Sequence, residues 1–216
     1  MNMKFISGII IGALLAVGGM WAYKSWCATC VTDSDETSQA QVGELAPNFT
    51  LLAQNGEAVE LAEVLRTGQP VVLEWFNAEC PYVKKFYSVG EMQRLQGEFT
   101  QQGVTWLRVV SSAPGKQGHL NQDTAQVLHR MSNANATLLD ESGKVGRLYG
   151  AQTTPHMYVI DGQGVLVYTG AIDSVRSTDP ADIRGAENYV VQTLQALDDG
   201  SKVPEPTSAY GCSVKY

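Results

Sequence analysis

Cys80 is the residue of this sequence best placed to do chemistry, because it lies where a strand is expected to run directly into a helix. Residues 70–76 are apolar and rich in β-branched side chains, as in a buried strand, and Pro81 suits the first position of a helix. The unpaired N–H groups and the dipole of a helix N-terminus favour a thiolate. Such sites lower a cysteine pKa from about 8.5 to roughly 3.5–7.5, and Lys84, one turn further on, adds a positive charge. The pattern predicts a redox nucleophile at Cys80, the alternative being an inert buried thiol.

A thiolate that reacts with a disulfide or a peroxide needs a second thiol to release the product. Cys212 is the candidate for this resolving step, because it lies on a glycine-flanked C-terminal tail that is expected to be flexible. The alternative is that Cys212 forms a structural or intermolecular disulfide. Cys27 and Cys30 form a C-x-x-C pair without a preceding strand. They are a candidate auxiliary redox pair, a link between two copies of the chain, or a disulfide without a role.

The composition excludes several classes of function. The chain has 216 residues, of which 44% are hydrophobic, so it can build one ordinary domain with a proper core. Its net charge of −7 comes without the basic stripe that nucleic-acid binding requires, so we expect no nucleic-acid partner. The three histidines, His119, His129 and His156, are too scattered for a zinc site, and there is no glycine-rich phosphate loop. The sequence therefore implies no metal or organic cofactor.

The N-terminal segment differs in kind from the rest of the chain. Residues 5–23 are apolar and uncharged between Lys4 and Lys24, which is long enough for one transmembrane helix. A cleaved signal peptide is the alternative for residues 1–26. The aromatic residues that follow and the acidic tether at 27–41 suit the translocated side of a membrane. We therefore expect a single-pass protein of the inner (cytoplasmic) membrane, with its catalytic domain in the periplasm or another extracytoplasmic space.

Strands and helices alternate along residues 42–200. The expected strands are residues 48–52, 71–76, 104–110, 136–139, 156–160 and 165–168, and the last two flank a hairpin turn at 161–164. The expected helices are residues 60–65, 81–102 with an interruption at 88–90, 120–131, 144–149 and 183–197. This order predicts an α/β sandwich with a central mixed sheet and flanking helices. Residues 201–216 are expected to form an extended tail.

Three motifs follow one another at an informative spacing. They are VGELAPNFTL at residues 42–51, WFNAECP at 75–81, and TTP at 153–155 before a strand that ends VIDG. Together they resemble the redoxin branch of the thioredoxin-fold superfamily, which includes the alkyl hydroperoxide reductase/thiol-specific antioxidant (AhpC/TSA) proteins. The resemblance covers about residues 42–197 and implies a thioredoxin-like fold. It also implies a cis peptide bond between Thr154 and Pro155, packed beside the reactive cysteine.

Two departures limit what the resemblance implies about function. In disulfide reductases of this superfamily the reactive cysteine begins a C-x-x-C pair, whereas Val83 stands at the second position here. In peroxiredoxins the cysteine closes a P-x-x-x-[TS]-x-x-C pattern, and this chain has Leu73 and Asn77 instead. The arginine that helps those enzymes bind peroxide is replaced near Thr154, which leaves Asn77 as a candidate donor to the leaving oxygen. Cys212 resembles the C-terminal resolving cysteine of two-cysteine peroxiredoxins.

We therefore hypothesise a membrane-anchored thiol oxidoreductase in which Cys80 attacks a protein disulfide or a peroxide, and Cys212 or an external thiol donor releases the product. The candidate catalytic residues are Cys80, Cys212, Asn77, Thr154, Pro155 and Lys84. A peroxiredoxin-like peroxidase with antioxidant activity is the first alternative, and a non-enzymatic binding module of the same fold is the second. Copper delivery, performed by other membrane-tethered members of the superfamily, lacks a second cysteine three or four residues after Cys80.

Overall fold

The computed structural model describes residues 39–216, which build a seven-stranded mixed sheet. The strands are β1 (Thr50–Ala53), β2 (Ala58–Glu60), β3 (Val71–Trp75), β4 (Thr105–Val110), β5 (Ala136–Leu139), β6 (Thr153–Thr154), β7 (His156–Ile160), β8 (Leu166–Gly170) and β9 (Cys212–Ser213). The order in the sheet is β2-β1-β5-β4-β3-β7-β8, and β6 pairs separately with β9. Strands β3, β4 and β5 run parallel, whereas β1 and β7 run antiparallel to their neighbours.

Helices cover both faces of the sheet. They are α1 (Leu61–Leu65), α2 (Pro81–Tyr87), α3 (Glu91–Gln101), α4 (Gln122–His129), α5 (Lys144–Leu148) and α6 (Tyr189–Asp199), with a 3-10 helix at Pro180–Gly185. Strand β3 reflects this arrangement: all of its residues are buried, as expected of a central strand that is covered on both sides. Leu73 and Trp75 pack in the core with α1 and α5, whereas Val72 packs in the core with α2, α3 and α6.

The predicted alternation of strands and helices is confirmed, and β5 and β7 have the predicted bounds. The segment predicted as one interrupted helix is two helices, α2 and α3, because Gly90 between them has a φ of 76°, in the left-handed region. The last helix was placed too early. It begins after Asn188, whose side chain accepts a hydrogen bond from the Val191 N–H and caps α6. The short edge strand β2 was missed altogether.

The C-terminal tail is extended, as predicted, but it is docked rather than flexible. Strand β9 pairs antiparallel with β6, so that Cys212 lies opposite Thr154. Beyond it, the Val214 N–H donates to the Gln152 carbonyl oxygen at 3.0 Å. Prolines and glycines in the sequence indicate an extended chain, but they carry no information on the surface to which that chain binds. The expectation of a flexible tail was therefore wrong.

No helix within residues 39–216 is long and apolar enough to cross a membrane. The predicted anchor or signal segment at residues 1–26 lies outside the described residues. The same holds for Cys27 and Cys30.

Candidate active site at Cys80 and Cys212

Cys80 lies at the N-terminus of α2, and residues 76–79 connect it to the end of β3. Its backbone is extended at the N-cap position, and Pro81 occupies the first turn of the helix. Its side chain is completely buried, at 0% exposure, in a cluster with Phe76, Val83 and Leu120. The predicted strand, turn and helix around Cys80 are therefore present in the structure.

Asn77 holds the turn that presents Cys80. Its side-chain Oδ1 accepts a hydrogen bond from the Glu79 N–H at 2.9 Å, and its backbone oxygen accepts one from the Cys80 N–H at 3.1 Å. Its Nδ2 donates to the Gln117 carbonyl at 3.4 Å, which joins this turn to the loop after β4. The same loop brings Gly118 so close that a Cβ there would overlap the Asn77 amide. The amide thus positions the turn, and its role as a donor to peroxide stays a prediction.

The loop that precedes β7 lies directly against the Cys80 sulfur. The Thr154–Pro155 peptide bond is cis, as the resemblance implied. The Cys80 thiol donates a hydrogen bond to the Thr154 carbonyl oxygen, with 3.0 Å between Sγ and O. Both Thr154 and Pro155 are buried. The structure therefore brings these two predicted residues together with the cysteine.

Cys212 completes the site from the opposite end of the chain. Its pairing with Thr154 in the β6–β9 ladder places its side chain against the Cys80 cluster. The Thr154 hydroxyl donates to the Cys212 carbonyl oxygen at 3.5 Å. Both cysteines are free thiols, Cys80 buried and Cys212 half-buried. The two residues proposed from sequence as nucleophile and resolving thiol are thus in contact.

The two thiols have pKa values that are displaced in opposite directions. Burial acts to raise the pKa of Cys80, but the neighbouring polar groups of Cys212, Thr154 and the Val83 backbone act against it. The net effect is a pKa of Cys80 below its ordinary value. For Cys212, burial first and then the hydrogen bond and negative charge of Cys80 raise the pKa to about 11. Of the two thiols, Cys80 is therefore the one that ionises more readily.

The structure places the predicted cation, Lys84, at the surface. Its side chain is exposed on α2, and the hydrogen bonds that lower the pKa of Cys80 come from other groups. The contribution of Lys84 to the thiolate stays a prediction. An exposed ammonium group acts through water, which screens it strongly, whereas hydrogen-bond donors in direct contact with a buried sulfur are not screened.

A buried polar cluster behind α2 was not predicted. The Lys85 ammonium is bonded to the Asp173 carboxylate at 2.9 Å, and the Tyr210 hydroxyl donates to the same carboxylate. All three side chains are buried. No local sequence signal could have revealed this cluster, because its members come from three segments far apart in the chain. Within residues 39–216, no group of three or more histidine, cysteine and acidic side chains is arranged to hold a metal ion.

Comparisons with known proteins agree with this site. Residues 42–169 match the AhpC/TSA family. A thiol-disulfide oxidoreductase, ResA of Halalkalibacterium halodurans, is 28% identical over 139 residues, which cover 63% of this chain and 73% of that relative. An uncharacterized conserved protein from Geobacillus kaustophilus has a similar crystal structure, with a TM-score of 0.68, 27% identity, and coverage of 82% of this chain and 92% of that one. A hypothetical protein from Sinorhizobium meliloti gives a TM-score of 0.68 at 22% identity, over 83% of this chain and 96% of its own.

These likenesses confirm the thioredoxin-like fold with its central mixed sheet, which the motifs predicted. The family match spans more than half of the chain and includes β3, Cys80 and the loop at Thr154 and Pro155. It stops before the tail that carries Cys212, so the pairing of the two cysteines is a feature that the structure adds to the family pattern. The chain therefore belongs to the AhpC/TSA family and is a thiol-dependent oxidoreductase.

Proposed function

We propose that this protein is a thiol-disulfide oxidoreductase in which Cys80 is the nucleophile and Cys212 resolves the mixed disulfide. The observation that carries the proposal is the docking of the tail, which holds Cys212 against the Cys80 cluster, and the displacement of the two pKa values in opposite directions agrees with it. A thiolate, not a thiol, attacks a disulfide, so the lowered pKa favours Cys80 over Cys212 as the attacking group. The similarity to a thiol-disulfide oxidoreductase supports the same reaction class.

In the first step the Cys80 thiolate attacks one sulfur of a substrate disulfide. A bond forms between Cys80 Sγ and that sulfur while the substrate S–S bond breaks, and the second substrate sulfur leaves as a thiolate. That leaving thiolate takes a proton from water, and Cys212 stays a thiol in this step. The product is a mixed disulfide between Cys80 and the substrate.

The second step uses the change of charge that the first step causes. The charge of Cys80 is one of the causes that raise the pKa of Cys212, and this charge disappears once Cys80 is in the mixed disulfide. Cys212 then ionises more readily and attacks Cys80 Sγ, which forms the Cys80–Cys212 disulfide and releases the second substrate thiolate. The substrate has gained two electrons and the cysteine pair has lost two. An external dithiol donor returns both electrons to the pair.

A peroxide is the second candidate substrate, because the family includes peroxide reductases by name and because a second thiol is in place. The Cys80 thiolate would take the distal oxygen of a hydroperoxide, which gives a sulfenic acid and an alcohol or water. Cys212 would then condense with the sulfenic acid to the same disulfide and one water. The replacements at Leu73 and Asn77 make us rank this reaction second.

Steady-state assays of the full-length protein test the proposal. With dithiothreitol as donor, we expect faster reduction of an insulin-type disulfide than of hydrogen peroxide, and loss of both activities in Cys80→Ser. In Cys212→Ser we expect a trapped mixed disulfide, visible by mass spectrometry, and turnover slower by at least about tenfold, because an intramolecular attack becomes bimolecular. Full activity of Cys80→Ser, or unchanged turnover of Cys212→Ser, would overturn the assignment.

We further propose that residues 5–23 anchor the chain to a membrane and that the domain faces an extracytoplasmic space. The support is the uncharged apolar segment between Lys4 and Lys24 and the acidic tether after it. Cys27 and Cys30 would then pass electrons to the Cys80–Cys212 pair. Fractionation of cells with protease treatment of spheroplasts tests this. A membrane-bound, protease-accessible domain is expected, a shortened soluble form would indicate a cleaved signal peptide, and a protected domain would exclude the location.

A further inference from the structure

The buried cluster behind α2 joins the helix that carries Cys80 to a loop that follows β8. The Lys85 side chain has 0% exposure, and its Nζ donates to Asp173 Oδ2 and to the Val175 carbonyl oxygen, each at 2.9 Å. A buried ammonium group needs such partners, because its desolvation is costly without them. This pair therefore holds α2 in place relative to the loop at residues 173–175.

The same carboxylate also holds the tail. The Tyr210 hydroxyl donates to Asp173 Oδ1, the oxygen that Lys85 does not use. The Tyr210 ring is buried against α2, with its centroid 5.7 Å from that of Tyr82 in an edge-on contact. Burial, together with the neighbouring carboxylate, raises the pKa of Tyr210 far above its ordinary value, so the hydroxyl keeps its proton. One carboxylate thus connects the helix of Cys80 with the residue two positions before Cys212.

Gly211, between Tyr210 and Cys212, lets the tail approach the Cys80 loop. Its φ is 148°, a conformation that side chains rarely adopt, and a Cβ at this position would overlap the Thr154 carbonyl oxygen. That oxygen is the one to which the Cys80 thiol donates. The close approach at Gly211 is therefore what brings the two sulfur atoms into contact.

None of these groups bonds to a reacting sulfur, yet together they determine where Cys212 lies. We infer that Tyr210 and Gly211 are positioning residues for the resolving cysteine, Tyr210 through its bond to Asp173 and Gly211 through its contact with Thr154. This inference rests on the proposed function, because it assigns these residues to the second step of that reaction. The carboxylate of Asp173 bonds both to Lys85 of α2 and to Tyr210 of the tail, so it holds the two segments that carry the cysteines in one arrangement.

The inference is tested with a chromogenic aromatic disulfide, dithionitrobenzoate, on full-length protein carrying Cys27→Ser and Cys30→Ser. Attack by Cys80 releases one equivalent of coloured thiolate, and attack by Cys212 on the mixed disulfide releases a second. In Tyr210→Phe we expect the second phase to slow about tenfold, because misplacement of a reacting group by an ångström costs rates of this order or more. Measured at a pH above the midpoint of Cys80 in both proteins, where the thiolate fraction is the same, the first phase should change by less than about threefold.

Gly211→Ala is the second variant and should show the same pattern. Tyr149→Phe is the matched control, because it removes a buried hydroxyl that donates to the Pro47 carbonyl and not to the tail cluster. Both of its phases should be as fast as in the parent protein.

A second set of variants, made in protein that also carries Cys212→Ala, separates a positioning role of Tyr210 from a general structural role. When Cys212→Ala is present, added glutathione releases the mixed disulfide, and Tyr210→Phe should leave that release unchanged or faster. A slower release by glutathione would mean that Tyr210 supports the site as a whole and would overturn the inference.

The remaining outcomes distinguish the inference from the proposed function. Two equivalents with an unchanged second phase in Tyr210→Phe and Gly211→Ala would overturn the positioning role alone. A single equivalent from the parent protein would overturn the resolving role of Cys212, and the positioning role with it.

Discussion

The contact between the two thiols predicts that Cys212 lowers the pKa of Cys80, and two substitutions of Cys212 separate the causes. Cys212→Ala removes the thiol donor but keeps the backbone N–H, whereas Cys212→Ser replaces the thiol with a hydroxyl donor. A hydrogen bond to a charged group contributes about 1.5–3 kcal/mol, and an S–H is a weak donor at the lower end of this range. Since one pKa unit corresponds to about 1.4 kcal/mol, we expect the pKa of Cys80 to rise by about one unit in Cys212→Ala.

The assay is the rate of Cys80 alkylation by iodoacetamide as a function of pH, in full-length protein whose Cys27 and Cys30 are serine. Mass spectrometry of the peptide that contains Cys80 gives the rate. At any pH below both midpoints, Cys212→Ala should react about tenfold more slowly than the parent, because the thiolate fraction falls by that factor per pKa unit. Cys212→Ser should keep the midpoint of the parent protein.

Two results would refute this reasoning. An unchanged midpoint in Cys212→Ala would mean that the thiol of Cys212 does not stabilise the Cys80 thiolate. An equal rise in Cys212→Ser and Cys212→Ala would mean that the packing of the cysteine side chain, and not its hydrogen bond, determines the pKa.

Three further predictions concern groups around the site. Burial lowers the pKa of His156 to about 4, whereas its value in the unfolded chain is about 6.5. As the pH falls, the unfolded chain therefore binds a proton before the folded protein does. The free energy of unfolding should fall by about 3 kcal/mol between pH 6.5 and 4. Urea denaturation of His156→Asn should show a smaller fall, and an equal fall would disprove the assignment. Asp173→Asn leaves the buried lysine of α2 without its counter-charge and should cost about 3–5 kcal/mol of unfolding free energy, which an unshifted urea midpoint would contradict. Gly118→Ala should displace the Asn77 amide and slow Cys80 alkylation, whereas Gly115→Ala, at a similar φ but in open space, should not; equal rates in both variants would argue against a role of that contact.

The elements that carry Cys80 could be predicted because their signals are local. The apolar run at residues 71–76 predicted β3, and Pro81 marked the start of α2. The interruption expected at residues 88–90 is where α2 ends and α3 begins, and Gly90 has a positive φ there. The motifs around Cys80 and Pro155 then indicated the family. Each of these inferences uses only residues that are neighbours in the sequence.

The docking of the tail could not be predicted in the same way. The sequence after residue 200 indicated an extended chain with a cysteine near its end, and nothing in it pointed to Asp173 or Thr154. These contacts join segments that are distant in sequence, and the side chains that make them are common polar types with no distinctive pattern. For this reason Cys212 could be proposed as a resolving thiol, whereas its contact with Cys80 could not be derived.

The sequence by itself determined that a cysteine stands at the junction of a buried strand and a helix, because hydrophobic periodicity and a proline specify backbone conformation locally. Only the tertiary structure decided what stabilises the anionic form of that cysteine. The groups that lower its pKa include Cys212 and Thr154, which lie far from it in the sequence. The physical reason is that hydrogen bonds act only at contact distance, and that contact distance to a buried sulfur is set by how remote segments pack.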